Sequence, residues 1–260
     1  MTEKVIDFHV HPFRREAYLL NFYPGTEAAD ADRMRNRLKD AGISHICGSV
    51  LKREGCPESF ADIRALNREA LVLKQMLRDF YTPGFHIHPG FVQASCEEVE
   101  FMHRNGVHLM GELVPYMHGW GDFNPQSWMQ IMDAAESCGM VCSYHTPFAF
   151  DMDRMVGEHP GLIFVAAHPG DRDRVPEHIA MMKKHENLYL DLSGTGLFRL
   201  GMLKYLVQAV GAERILFGSD YPICNPGMYI QAVLTEDISE ADKERILWGN
   251  AQRLLTERLQ

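Results

Sequence analysis

The 260-residue sequence predicts an α/β fold, a single (β/α)8 barrel domain spanning residues 1–260. Three observations predict it. Eight short apolar runs rich in β-branched and aromatic residues alternate with amphipathic stretches, the pattern of a parallel sheet with right-handed crossovers. The length suits a closed barrel of about 250 residues. No glycine-rich phosphate loop follows the first run, which argues against an open dinucleotide-binding sheet.

Taken in order, the expected strands are Val5–His11, His45–Val50, Phe85–Val92, His108–Pro115, Val141–Thr146, Ile163–His168, Leu188–Leu192 and Ile215–Ser219. Between them, Asp32–Ala41, Phe60–Phe80, Gln126–Cys138, Glu177–Lys184 and Phe198–Val210 carry apolar residues at helical spacing. Ser95-x-x-Glu98 and Ser239-x-x-Asp242 have the spacing of capping boxes that open helices. Gly42, Gly106 and Gly139 each follow a helical run, where a left-handed C-cap falls. No repeat, linker or low-complexity tract interrupts the chain.

Chemistry concentrates where these strands end. The first run reads Asp7-Phe8-His9-Val10-His11-Pro12. Strand side chains alternate faces, so Asp7, His9 and His11 are expected to point the same way, two imidazoles with a carboxylate behind them, half of a divalent-metal site. The fourth run carries Glu112, the fifth ends in His145, the sixth in His168 and the eighth in Ser219-Asp220-Tyr221-Pro222. In a barrel all these ends meet at one mouth. Imidazole and carboxylate donors suit zinc or a similar first-row ion. By contrast, His86-Ile87-His88 has no carboxylate before it on the same face and is read as secondary, with His88 at the mouth. His103, His159, His178 and His185 sit in helical or helix-flanking polar contexts and are expected to be solvated. Cys138 and Cys142 straddle a helix end and a strand, a packing context.

Composition bounds the partners. Hydrophobic residues make up 46% and charged residues 23%, enough for a full core, and the net charge of -9 disfavours a non-specific grip on nucleic acid or an anionic membrane. The six cysteines show no C-x-x-C spacing, no apolar run approaches bilayer length, and the first strand begins almost at once. The expectation is a cytoplasmic protein with a small-molecule substrate, open to assembly as a homo-oligomer.

With Asp-x-His-x-His, His145, His168 and Gly218-Ser219-Asp220-x-Pro222, the chain resembles the amidohydrolase superfamily, in particular its amidohydrolase-2 branch of TIM-barrel hydrolases and decarboxylases. Ile246-Leu247-Trp248-Gly249-Asn250-Ala251-x-Arg253-Leu254 is similar to that branch's closing helix. The resemblance implies that His9, His11, His145 and Asp220 bind or contact a metal. It also implies that His168 holds a second ion or acts as a catalytic imidazole. Glu112 is similar to a glutamate that bridges two ions in the TatD-like deoxyribonuclease branch, which implies one or two ions: zinc first, with manganese or iron(II) accepting similar ligands.

The expected reaction is hydrolysis of an ester, amide or lactone-type bond by metal-activated water, with Asp220 moving the proton and His168 polarising the substrate. The first alternative is non-oxidative decarboxylation of a small carboxylic acid. Phosphodiester cleavage and a non-catalytic metal-binding barrel are further alternatives. Specificity falls to the loops, where Arg14, Arg15, Tyr116, His118, Trp120, Arg172, Ser193, Thr195 and Tyr221 are candidates to wall the pocket or pair with an anionic substrate. Asp7 is expected behind the ligands, bonding backbone or a ligand imidazole.

Overall fold

A computed structural model describes residues 4–14, 30–51, 57–123 and 126–259. Arg15 and Cys56 lie outside the described residues. Eight parallel strands pair in sequence order: β1 (Ile6–Asp7), β2 (His45–Ser49), β3 (Tyr81–Phe85), β4 (Leu109–Leu113), β5 (Val141–Tyr144), β6 (Ile163–Ala166), β7 (Leu188–Asp191) and β8 (Ile215–Leu216). The ring closes just beyond the short first and last strands. There Phe8 N–H donates to Phe217 O at 2.8 Å, Asp220 N–H to His9 O at 2.9 Å and His11 N–H to Tyr221 O at 2.8 Å. Those three bonds hold His9, His11 and Asp220 on adjoining backbone at one end of the barrel.

The helices include α1 (Ala31–Asp40), α2 (Phe60–Leu77), α3 (Val92–Arg104), α4 (Pro115–His118), α5 (Ser127–Ser137), α6 (Asp153–Glu158), α7 (Val175–Lys184), α8 (Met202–Val210), α9 (Pro226–Thr235), α10 (Glu240–Glu244) and α11 (Asn250–Glu257). Two apolar layers result. Leu38, Ile63, Leu73, Val99, Trp128, Ile131, Leu203 and Leu206 belong to the larger cluster, between strands and helices. Ile6, Phe8, Cys47, Leu109, Val141, Val165 and Leu216 form a second, interior stack with Ala251 and Leu254 of α11. The terminal helix therefore packs against the barrel interior. It is tied there by Asn250, whose Nδ2 donates to Ala212 O at 2.7 Å and Ile215 O at 2.8 Å.

Local chemistry explains the agreements and the differences. Gly42, Gly106 and Gly139 all have positive φ at helix ends, as their positions predict. Ser239 caps α10, its hydroxyl accepting from Asp242 N–H at 3.1 Å. Ser95 does not open a helix: α3 starts three residues earlier, and Ser95 is buried with its hydroxyl donating to His88 O. A capping box forms instead at Ser59 and Asp62. The third strand lies at Tyr81–Phe85 rather than Phe85–Val92, so Pro83-Gly84, which reads as a breaker, sits inside it. Gly84 is there because a Cβ would fall 2.3 Å from Gly111 O on the neighbouring strand. The cysteines behave as packing residues, with Cys142 buried and Cys138 half-buried. No helix among the described residues is long and apolar enough to cross a membrane.

Candidate metal centre

The first-strand extension delivers two imidazoles to one point. His9 and His11 are buried, and their Nε2 atoms lie 3.3 Å apart. Each ring is fixed from behind. His9 Nδ1–H donates to Asp191 Oδ2 at 2.9 Å, and His11 Nδ1–H donates to Ser49 O at 3.1 Å. A carbonyl can only accept, so the proton of neutral His11 belongs on Nδ1 and its lone pair on Nε2. Asp7 bonds backbone. Its Oδ1 takes Ser219 N–H at 2.9 Å and His9 N–H at 3.2 Å, joining the first strand to the eighth. Burial raises the Asp7 carboxyl to about 7 against those bonds.

Glu112 stands at the centre of the cluster. Its Oε2 is 3.3 Å from His9 Nε2 and 3.4 Å from His11 Nε2. Its Oε1 is 3.2 Å from His145 Nδ1 and 3.3 Å from His168 Nε2. Asp220 Oδ1 completes the first group, 3.3 Å from His11 Nε2 and 3.8 Å from His9 Nε2. The two carboxylate oxygens of Glu112 therefore face different donor sets. Glycine before it is required by space: Gly111 has φ +100° and a Cβ there would fall 2.0 Å from Ser143 O.

His168 and Asp220 have φ of 66° and 63°, left-handed values uncommon for residues with a Cβ. Holding each this way costs about 1–3 kcal/mol, strain that concentrates at functional sites. His168 is further fixed by Ser193, whose Oγ accepts from His168 Nδ1–H at 2.9 Å and donates to Asp191 Oδ1. Asp191, fully buried at the end of β7, thus steadies His9 directly and His168 through Ser193. Asp191 is not among the residues singled out from the sequence. A carboxylate inside Leu188-Tyr189-Leu190-Asp191-Leu192 was a usable signal, because a buried charge requires partners.

The donor set fits a divalent cation. Three imidazoles whose Nδ1–H groups are spent on Asp191, Ser49 and Ser193 turn their Nε2 lone pairs toward each other and toward carboxylates. Lone pairs at such distances repel unless a cation lies among them. His9, His11 and Asp220 form one group of potential ligands and His9, Glu112 and His168 another. The surrounding carboxylates favour the charged form of these imidazoles. Although burial opposes it, Asp220 and Glu112 raise His11 to about 9, and Asp191 and Glu112 raise His9. Glu112 is lowered, burial notwithstanding, by the surrounding histidines.

The loop candidates divide. Tyr116 is exposed and meets the His145 ring edge-to-face at 5.4 Å, so it stands at the mouth. Arg14 donates through Nε to Glu69 at 2.7 Å, which engages that atom in holding a buried carboxylate. Trp120 is buried against Phe123 and Trp128, with ring centroids at 4.9 and 4.8 Å, and so packs behind the site rather than forming an open wall. Tyr221 is buried and stacks on Phe13. Ser193 is fully buried between Asp191 and His168. Arg172 and Thr195 are exposed. His118 is buried, its ring 4.7 Å from that of His86. Of the histidines expected in solvent, His103 is exposed, whereas His159, His178 and His185 are buried. His178 shares an inward face of α7 with Val175, Ile179 and Met182, whereas His159 and His185 directly follow the ends of α6 and α7.

With this geometry in place, comparison decides the family. The Amidohydrolase family model matches residues 6–256. The chain belongs to that family. It is 43% identical over 70 residues to gamma-resorcylate decarboxylase from Polaromonas sp. strain JS666, a match covering 27% of this chain and 21% of that relative. The chain thus aligns with about a fifth of the curated relative's length. Among solved structures, an uncharacterised TIM-barrel protein from Bordetella bronchiseptica superposes with a TM-score of 0.75 at 22% identity, covering 97% of this chain and 98% of the other. A dihydroxybenzoic acid decarboxylase from Polaromonas sp. JS666, with bound manganese and the inhibitor 2-nitroresorcinol, gives a TM-score of 0.73 at 17% identity, covering 98% and 97%. At these identities the superpositions establish the shared barrel.

Proposed function

We propose that this amidohydrolase family member is a metal-dependent, non-oxidative decarboxylase of a small, hydroxylated carboxylic acid. The donor set serves hydrolysis and decarboxylation alike. The observation that carries the choice is the 70-residue stretch 43% identical to gamma-resorcylate decarboxylase. His9, His11, Asp220 and Glu112 would hold the ion, zinc or manganese, which when bound polarises the oxygens of the substrate.

The remaining chemistry belongs to the chain. As carbon dioxide leaves, the carbon that carried it must gain a proton. Asp220 is the group assigned to deliver it: its backbone is strained to place the carboxylate at the mouth, beside both first-strand imidazoles. The Ser193 anchor, which turns His168 Nε2 toward Glu112, supports a role for His168 in contacting a substrate oxygen. Tyr116 supplies an exposed aromatic face above His145 for a flat ring.

A second reading, hydrolysis, is favoured by Glu112, whose two oxygens face His9 and His11 on one side and His145 and His168 on the other. With that division Glu112 would help to hold two ions, which would supply an activated water, and Asp220 would take that water's proton. One panel separates the readings. Protein loaded with manganese or zinc is assayed for carbon dioxide release from hydroxybenzoates and for cleavage of esters, amides and lactones. Carbon dioxide release without bond hydrolysis supports the first reading; lactone or amide cleavage without carbon dioxide overturns it.

A further inference from the structure

The turn Ser193-Gly194-Thr195-Gly196, just after β7, is the support on which His168 rests. A Cβ on Gly194 would fall 2.4 Å from His168 Nδ1, so the imidazole lies directly against the bare glycine, whose φ is +59°. Two residues on, the contact continues. Gly170 N–H donates to Thr195 O at 2.9 Å, and a Cβ on Gly196 would fall 2.7 Å from Gly170 O. Ser193 Oγ accepts from His168 Nδ1–H at 2.9 Å. A shift of this turn is therefore a shift of the imidazole, whose left-handed φ of 66° persists only where its surroundings hold it.

The turn is fastened in its turn by α9. Tyr229 is buried on the helix face that it shares with Ile230 and Val233, and its hydroxyl donates to Gly194 O. Phenylalanine would fill the same space; the hydroxyl adds the bond. Tyr229 Oη also lies 3.4 Å from Cys224 Sγ. Cys224 closes the turn after β8, where its N–H and that of Ile223 donate to Asp220 O at 3.2 and 2.8 Å. Burial raises the phenol, and Cys224 adds to the rise, so the proton stays on Oη for the carbonyl to accept. One side chain thus touches the supports of His168 and of Asp220, the two residues of the site that hold left-handed backbone without being glycine.

We propose that Tyr229 is a positioning residue for the reaction: its hydroxyl pins Gly194, the pinned turn holds His168, and the imidazole is kept with Nε2 toward Glu112. Without the hydroxyl, Gly194 O loses its donor and the turn can relax away from the ring. Misplacing a group that contacts substrate by about 1 Å costs about 100-fold in rate. The inference rests on the reading that His168 contacts a substrate oxygen, which decarboxylation and hydrolysis share, but its first test needs no turnover.

Tyr229→Phe, which keeps the ring and removes the hydroxyl, is compared with wild type and with Val233→Ala. The second variant loosens the same buried face of α9 and keeps the hydroxyl. Circular dichroism checks that both fold. Long-range 1H–15N spectra of zinc-loaded protein labelled at histidine are read first. Wild type should show His168 with its proton on Nδ1. In Tyr229→Phe that signal should shift or broaden while those of His11 stay in place, and in Val233→Ala it should match wild type. With whichever hydroxybenzoate, ester, amide or lactone wild type turns over, kcat of Tyr229→Phe should fall about 10–100-fold with KM within about twofold. Zinc content should be retained. The proposal is overturned if the His168 signal of Tyr229→Phe matches wild type, if Val233→Ala moves it as far, or if kcat is unchanged. Wild-type protein inactive on every compound would sink the functional reading instead, and the spectra alone would then decide whether Tyr229 places His168.

Discussion

Replacing Asp191 with asparagine tests whether the buried carboxylate, rather than mere packing, sets the first-strand imidazoles. Asp191 is fully buried and uses both oxygens: Oδ2 accepts from His9 Nδ1–H at 2.9 Å, and Oδ1 accepts from Ser193 N–H at 2.9 Å and from the Ser193 hydroxyl. Asparagine keeps the shape but offers one acceptor oxygen. Turned toward His9, its amide nitrogen meets the Ser193 N–H; turned toward Ser193, it meets the His9 Nδ1–H. Either orientation opposes two donors and removes the charge that favours Nδ1 protonation. Loss of such a partner behind a ligand imidazole typically weakens metal binding about 10–100-fold, equivalent to about 1.4–2.7 kcal/mol. Chelator competition for zinc and manganese measures this directly, with circular dichroism confirming the fold. An unchanged dissociation constant in a folded Asp191→Asn protein would refute the reasoning.

Other perturbations read different parts of the structure. Asp220→Asn should lower turnover about 10²–10⁴-fold while retaining part of the metal, and wild-type rates in single-turnover assays would remove Asp220 from the chemistry. Burial chiefly, helped by His168, depresses His178 from 6.5 to about 4. Its stabilisation is complete above pH 6.5 and is lost as pH falls through about 4, a change of about 3 kcal/mol. His178→Leu should therefore flatten the fall of the urea midpoint between those pH values, and parallel curves would contradict this. Gly48→Ala places a Cβ 1.9 Å from Val10 O at a φ of +147°. It should cost more than about 3 kcal/mol, read as lost soluble expression or a collapsed Tm, and a wild-type Tm would show that β1 and β2 can separate there. Glu112→Gln should reduce metal content, from two equivalents to one under the two-ion reading, as elemental analysis would show.

Much of the site was legible because ionisable residues at the ends of apolar strands are conspicuous. His9, His11, Glu112, His145, His168 and Asp220 stand out by type and place, and the barrel closure through Phe8, His9 and His11 brings them together. The alternation that groups Asp7 with His9 and His11 assumes a regular strand, but β1 ends at Asp7. Asp191 carries a weaker signal, its burial inside an apolar run. It is a lone acid within a strand-like run, and its partner His9 is distant in sequence. The buried histidines show a further limit. His159, His178 and His185 lie in polar-looking stretches, yet all three are buried. For His178 the spacing with Val175, Ile179 and Met182 already marked an inward face. The third strand lies earlier than expected, at Tyr81–Phe85, and includes Gly84, where close approach to Gly111 demands glycine.

The most direct measurement is an anomalous-difference map from crystals grown with zinc or manganese. A peak about 2.0–2.2 Å from His9 Nε2 and His11 Nε2, with Asp220 or Glu112 at similar range, is the expected result. A map with no peak between those two imidazoles, or with the ion bound elsewhere while their Nε2 atoms remain uncoordinated, would contradict the account.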